Sequence, residues 1–270
     1  MPRLRSVLLI PADGAGLDPA LASSADALCF TVADGRFALE ELRSRAKDGI
    51  AAAVAAGKQA FVKVNHPRTR FLRDDLEAVV SAGLTGVLLT QTVEPQDVRD
   101  AGVGLREFEV DRGIEAGTIA IYPVIGSARG LVRAVEIAAA TPRAGGLVFD
   151  GREYAEDVGG REEESGPRFA HARGAVVAAS RAVQGTPLVY ANGIDLNPLA
   201  QAGFSGAIIA IPTLSGAANA AFAPTAAAFT RALAAREAYA AARAAGAWVA
   251  RVGESVIDAE TNRAAAHLLD

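Results

Sequence analysis

The sequence of 270 residues contains one cysteine, one methionine, one tryptophan and three histidines. A single thiol, Cys29, leaves no disulfide framework and no cysteine-rich zinc site, and it points to a reducing compartment. Aromatic side chains make up only 6 % of the chain, so its core must be aliphatic and closely packed. No apolar run approaches the ~18 residues that a membrane helix needs. The N-terminal run from Val7 to Ile10 stops at Pro11, before Asp13, too soon for the core of a secretory signal. A cytoplasmic protein with no membrane partner is expected. An excess of positive charge is also missing: 27 Lys and Arg stand against 31 Asp and Glu, for a net charge of −4. That argues against the basic face of a nucleic-acid-binding protein. Nor does a glycine-rich phosphate turn follow the first apolar run, because Pro11-Ala12-Asp13-Gly14-Ala15-Gly16 lacks the full spacing.

What the chain has in quantity is alanine, about 60 residues, which lets helices approach closely. Eight short apolar runs recur: Ser6–Ile10, Ala27–Val32, Gln59–Val64, Gly86–Leu89, Thr118–Ile125, Gly146–Phe149, Pro187–Val189 and Gly206–Ile211. Their length and their content of Val, Ile, Leu and Phe predict strands. Between them, helical patterns cover Leu17–Ser24, Ala38–Ala56, Arg70–Ala82, Pro95–Ala101 with more helix near Leu105–Ala116, Gly130–Ala140, Ser165–Val183 and Leu196–Ala202. Eight strands, each followed by a helix, predict a (β/α)8 TIM barrel over residues 1–216. Residues 217–270 exceed what one barrel helix needs and predict a helical C-terminal extension that packs on the barrel or on a neighbouring subunit. The polar stretch Gly159-Gly160-Arg161-Glu162-Glu163-Glu164 reads as a solvated loop entering a helix.

In such a barrel the chemistry lies at the C-terminal ends of the strands. The residues there are Asp13, Asp34, Lys63 with Asn65 and His66, Thr90 with Gln91, Gly126 with Ser127 and Arg129, Asp150 with Arg152, Glu153 and Asp157, Tyr190 with Asn192, and Pro212 with Thr213. Lys63 is the sharpest. In Phe61-Val62-Lys63-Val64-Asn65, alternation sends both valines one way and Lys63 the other. With the valines under the helices, Lys63 points into the barrel mouth, where a cation must meet an anion. It then anchors a substrate carboxylate, serves as a Schiff-base lysine, or forms a structural ion pair with Asp34 or Glu153. Asp34 and Glu153 are also candidate ligands for Mg²⁺, which prefers oxygen donors. Cys29, between Leu28 and Phe30, reads as a small buried hydrophobe.

Several segments carry a resemblance to a known family. They are Arg5-Ser6-Val7-Leu8-Leu9-Ile10-Pro11, Ala25-Asp26-Ala27, Ala128-Arg129-Gly130-Leu131 through Ala138, Tyr154-Ala155-Glu156-Asp157-Val158-Gly159, Gly203-Phe204-Ser205-Gly206 and Ala221-Phe222-Ala223-Pro224-Thr225. The chain resembles the citrate lyase β-subunit-like branch of the HpcH/HpaI aldolase family. That resemblance implies a Mg²⁺-dependent carbon–carbon lyase acting on a small carboxylic acid or its acyl-CoA thioester. It further implies a homotrimer or homohexamer joined through the C-terminal extension. Carried over residue by residue, it makes Lys63 and Asp34 catalytic, with Lys63, Arg129 and Ser127 binding substrate and Glu153 binding metal. The same resemblance marks replacements. Lys63 stands where the family has arginine, which keeps the charge and loses the bidentate fork. Thr90-Gln91 replaces a Pro-Lys pair, Gly126 a metal-binding glutamate, Tyr190 an aspartate and Ile211 a histidine. Those losses imply a weakened metal site, and they keep open an alternative: a non-catalytic family member that retains the barrel for ligand binding or assembly.

Overall fold

Eight parallel strands close on themselves in chain order, β1 pairing with both β2 and β8. The computed structural model describes residues 3–11, 13–35, 37–161, 169–191 and 195–269. The strands are β1 (Ser6–Leu9), β2 (Ala27–Thr31), β3 (Gln59–Val64), β4 (Leu84–Leu89), β5 (Ala120–Ile125), β6 (Val148–Phe149), β7 (Leu188–Tyr190) and β8 (Gly206–Ile209). All eight expected runs are therefore strands of one barrel. Helices follow them: α1 (Leu17–Ala22), α2 (Leu39–Ala55), α3 (Leu72–Val79), α4 (Pro95–Asp111), α5 (Ala128–Val132), α6 (Ala134–Ala138), α7 (Gly151–Asp157), α8 (Ala170–Ala182), α9 (Asn197–Gln201) and α10 (Ser215–Ala221). Among the described residues no helix is long and apolar enough to cross a membrane.

Strand alternation sorts the side chains into two cores. Val7, Cys29, Phe61, Tyr122, Leu188 and Ile208 fill the barrel interior, where the Phe61 and Tyr122 rings meet edge to face at 5.6 Å. Leu8, Phe30, Val62, Val64, Ile125 and Phe149 lie in the outer core beneath the helices. The helices supply the matching apolar stripes. In α2, Leu42, Ala46, Ile50 and Ala53 are buried at helical spacing. Gly49 lies on that same face, and a Cβ there would come within 2.3 Å of the Phe30 ring. Glycine is what lets α2 sit this close to β2.

The N-terminal end of the barrel is tied by a buried ion pair. Glu109, at the end of α4, accepts hydrogen bonds from the amides of Gly117 and Ile119, each at 2.9 Å, and from Arg143 Nη2 at 2.8 Å. Burial alone would raise this carboxyl. The guanidinium and the two amides outweigh it and hold Glu109 below the usual carboxylate range.

Two helical expectations need correction, and one helix was not expected. Pro95–Ala101 and the first part of Leu105–Ala116 form one helix, α4, which ends at Asp111. Gly102 and Gly104 weaken the local signal, but Val98, Ala101, Leu105 and Phe108 carry the buried stripe across them. The Gly130–Ala140 pattern is instead two short helices, α5 and α6, separated at Arg133. α7 is an addition, and it carries Glu153. The start of the expected Ser165–Val183 helix, the run Glu162–Glu164 and Asn192 lie outside the described residues.

The chain divides into two units, Leu4–Phe222 and Ala223–Asp270 with Met1–Arg3. α10 packs on β1 and β8 and belongs to the first. The second unit contains α11 (Ala226–Ala244), the antiparallel pair β9 (Ala250–Val252) and β10 (Ser255–Ile257), and α12 (Ala259–Leu269). Ala232, Ala235, Ile257 and Ala265 form its small core. Trp248 is 71 % exposed, with the Arg243 guanidinium stacked 3.7 Å from its ring centroid.

Candidate functional site at the barrel mouth

Lys63 emerges on the inner face of β3. Its Cα partners are Thr31 and Leu88, while Val62 and Val64 lie beneath the helices. Its ammonium stands 5.5 Å from the ring centroid of Tyr190. Tyr190 ends β7, four strands away in the closed order and therefore across the barrel from β3. Among the described residues no carboxylate is in salt-bridge contact with Lys63; a tyrosine ring lies under it instead.

Glu153 approaches from the first turn of α7. The Asp150 side chain caps that helix by accepting from the Glu153 amide at 3.0 Å. Asp150 is itself buried, at 5 % exposure. Burial, reinforced by the negative charge of Asp150, raises the Glu153 carboxyl above its usual range; Lys63 and Arg152 oppose the shift. The Glu153 side chain folds back over the end of β5. A Cβ built on Gly126 would come within 2.6 Å of Glu153 Oε2 and 2.7 Å of its Cβ. One side chain thus covers the backbone position from which a β5 ligand would project. Among the described residues no group of three or more His, Cys, Asp or Glu is placed to hold a metal.

The other candidates are distributed more loosely. Asp34 is half-buried in the loop after β2. The Ser127 hydroxyl caps α5 by accepting from the Gly130 amide at 3.1 Å. Arg129 is 62 % exposed at its side chain and pairs with Glu94 at 3.3 Å. Asn65 is turned into the scaffold: its side-chain amide donates to Asp75 Oδ2 at 2.7 Å and to the Val32 carbonyl at 3.2 Å. His66 folds into its own loop, Nδ1 accepting from the Arg68 amide and Nε2 lying 3.3 Å from Asp97. Thr90 donates to the Val64 carbonyl at 3.0 Å. Cys29 is fully buried and its thiol is pushed up to about 12 by burial, which leaves it inert as a nucleophile at neutral pH. A cavity of about 380 Å³ opens elsewhere, between Ala191, Leu196, Ile209 and the alanines of α10, and contains none of these groups.

The group that the structure brings together is therefore Lys63, Tyr190, Asp150 and Glu153. The sequence reading assigned no role to Asp150 as a helix cap. The Asp150-x-x-Glu153 spacing is the local signal for it.

Comparisons with known proteins agree with this architecture. The citrate lyase β subunit of Escherichia coli (strain K12) is 30 % identical over 194 residues, covering 70 % of this chain and 64 % of that subunit. The corresponding subunit of Haemophilus influenzae is 30 % identical over 199 residues, covering 70 % and 66 %. The chain thus matches just under two thirds of the length of these relatives. A citrate lyase structure from Burkholderia xenovorans superposes with a TM-score of 0.72 at 17 % identity, covering 100 % of this chain and 91 % of that one. The structure of CitE from Mycobacterium tuberculosis, in complex with magnesium, acetoacetate and coenzyme A, superposes with a TM-score of 0.66 at 21 % identity, covering 99 % and 97 %. At such identities the structures speak for the fold. A family model for HpcH/HpaI aldolase/citrate lyase matches residues 5–213, and the chain belongs to that family.

Proposed function

We propose that the chain binds a small carboxylic acid, free or as its acyl-CoA thioester, at the barrel mouth, with Lys63 pairing the carboxylate. The observation that supports this most is the Lys63 ammonium, held over an aromatic ring inside the barrel and away from salt-bridge contact with any described carboxylate. Lys63 is half-buried, and a cation partly withdrawn from water favours an anionic partner. The ligand class follows from relatives solved with acetoacetate or oxaloacetate. Carbon–carbon cleavage of such an acid is the activity to assay first in a family member. In this reading Asp34 is the proton relay. Ser127 and Arg129 bind the substrate from the β5 end, each with one polar contact of its own, to Gly130 and Glu94.

Magnesium fits this donor set poorly. Mg²⁺ asks for near-ideal octahedral oxygen geometry and one or two well-placed carboxylates. Here Gly126 supplies no side chain, Glu153 lies across the place one would occupy, and Asp150 is used as a helix cap. We therefore assign the metal no step and place any residual site at Glu153. The same packing favours a second reading, in which the barrel binds its acid without cleaving it.

Calorimetric titration with acetoacetate and oxaloacetate, with and without Mg²⁺, tests the binding proposal. The same samples are assayed for cleavage products. Binding that needs no Mg²⁺ and falls about 10- to 100-fold in Lys63→Met is the expected result, the size of one charge-assisted interaction. Product formation selects the lyase, and binding without product selects the second reading. Failure of both acids, and of acetoacetyl-CoA titrated beside them, to bind rejects the proposal.

Self-association through the C-terminal unit belongs to the same proposal. Trp248, Val249 and Val256 are exposed there, an apolar group of the kind that marks contact surfaces. Light scattering of the full chain is expected to give a trimer or hexamer; a monomer rejects it.

A further inference from the structure

Three buried side-chain polar atoms among the described residues have no hydrogen-bond partner: His66 Nε2, Ser215 Oγ and Tyr190 Oη. Buried polar groups are normally satisfied, so each orphan calls for an explanation. His66 Nε2 already has a polar neighbour in Asp97, at 3.3 Å, although the two are misaligned for a hydrogen bond. Ser215 begins α10, on the outside of the barrel. Tyr190 differs from both. Its neighbours Val189 and Ala191 lie in the outer core, while Tyr190 packs with the interior group. Its ring faces the ammonium of Lys63, across the mouth from β3. The ring that carries the orphaned hydroxyl therefore sits beside the cation already proposed to meet a ligand.

Resting on the ligand reading above, we propose that Tyr190 is a specificity-determining residue: its O–H donates a hydrogen bond to the keto or hydroxyl oxygen of the acid whose carboxylate Lys63 pairs. The chemistry suits that division. An ammonium is a compact point charge that attracts the carboxylate, whereas a phenol is a neutral directional donor suited to a carbonyl or hydroxyl oxygen. Burial keeps the phenol protonated, its titration lying well above the usual tyrosine range. A saturated acid would leave the phenol unpaired, so selection works by satisfying it.

The test compares acetoacetate with butyrate, which lacks the keto oxygen, in the full-length wild-type chain and in Tyr190→Phe. Calorimetry is expected to show about tenfold tighter binding of acetoacetate by the wild type, the worth of one neutral hydrogen bond. In Tyr190→Phe the preference is expected to vanish, with butyrate affinity unchanged. Without ligand, thermal unfolding of Tyr190→Phe is expected at or above the wild-type temperature, because the hydroxyl removed has no partner to lose. A preference that survives in Tyr190→Phe overturns the proposal while leaving the ligand reading intact. A lower unfolding temperature for ligand-free Tyr190→Phe overturns it as well, since the phenol would then hold the fold together. Binding of neither acid by the wild type overturns this proposal, and the ligand reading with it where acetoacetyl-CoA fails to bind as well.

Discussion

Two glutamates, one fully buried and one half-buried, mark the two ends of the barrel, and they are perturbed in opposite directions. Glu109, at the N-terminal end, is fully buried, meets two amides and the Arg143 guanidinium, and is held below the usual carboxylate range. Glu153, at the mouth, is raised by burial and by Asp150, and the Lys63 ammonium only partly offsets this. The N-terminal end, closed by this pair, matches its buried glutamate with a guanidinium and two amides; the mouth leaves a carboxyl, an ammonium and a phenol incompletely matched. Complete pairing of that kind belongs to scaffold. Incomplete pairing is tolerated where a ligand completes it, as expected for the catalytic face of a (β/α)8 barrel.

The sharpest way to break this contrast is at Glu109. Arg143→Ala removes one partner of a buried pair and leaves the other charge exposed to the low-dielectric interior. A loss of about 3–5 kcal/mol is expected, read from chemical denaturation. A loss below about 1 kcal/mol would show that the closed end is not held by this pair.

Gly126 gives the next largest effect. Restoring a carboxylate by Gly126→Glu has the appeal of rebuilding a two-carboxylate metal site, but the structure argues against it. The new Cβ meets Glu153 at both its Cβ and its carboxylate. The Cβ contact cannot be relieved by swinging the end of a flexible side chain. Gly126→Ala isolates this steric component and is expected to cost about 1–3 kcal/mol by overpacking. Gly126→Glu is expected to pay the same penalty and to gain little Mg²⁺ affinity over Gly126→Gln in calorimetry. Clear tightening of Mg²⁺ binding in the Glu variant alone would show that Glu153 can move aside.

The two glutamates also separate by pH. The depressed Glu109 contributes stability that is present above the ordinary carboxylate range and is lost as pH falls through its folded value. The raised Glu153 works the other way: its contribution is present at low pH and is lost as pH rises through its folded value. Glu109→Gln should therefore unfold at lower temperature than the wild type at pH 7, and Glu153→Gln at slightly higher temperature. Both differences should narrow on acidification below the glutamate range. Unfolding curves across pH check the signs, and two differences of the same sign would contradict the contrast.

The barrel was legible because strand and helix periods are local and repeat eight times. Val62 and Val64 alone placed Lys63 on the inner face, and it lies there. What stayed hidden depended on contacts distant in sequence. Gly102 and Gly104 broke the pattern of α4, yet its buried stripe runs through them. The side chain of Glu153 over Gly126 joins β5 to α7 and has no local signature. Nor does the meeting of Lys63 with Tyr190 across the barrel, since it requires the closed order of the strands. For Ser127 and Arg129 the residue types suit a binding role, but the pairing that engages each hydroxyl and guanidinium is visible only in three dimensions.

The most direct measurement is the stability of ligand-free Lys63→Met, determined beside its affinity for acetoacetate. Methionine keeps much of the side-chain length and removes the charge. If Lys63 belongs to the incompletely paired, ligand-completed end, the variant stays within about 1 kcal/mol of the wild type, as for a group without a strong native partner, while acetoacetate binding falls about 10- to 100-fold. A loss of about 3–5 kcal/mol, as for a broken buried pair, with acetoacetate affinity unchanged in the folded fraction, would place Lys63 in the scaffold and contradict the division between the two ends.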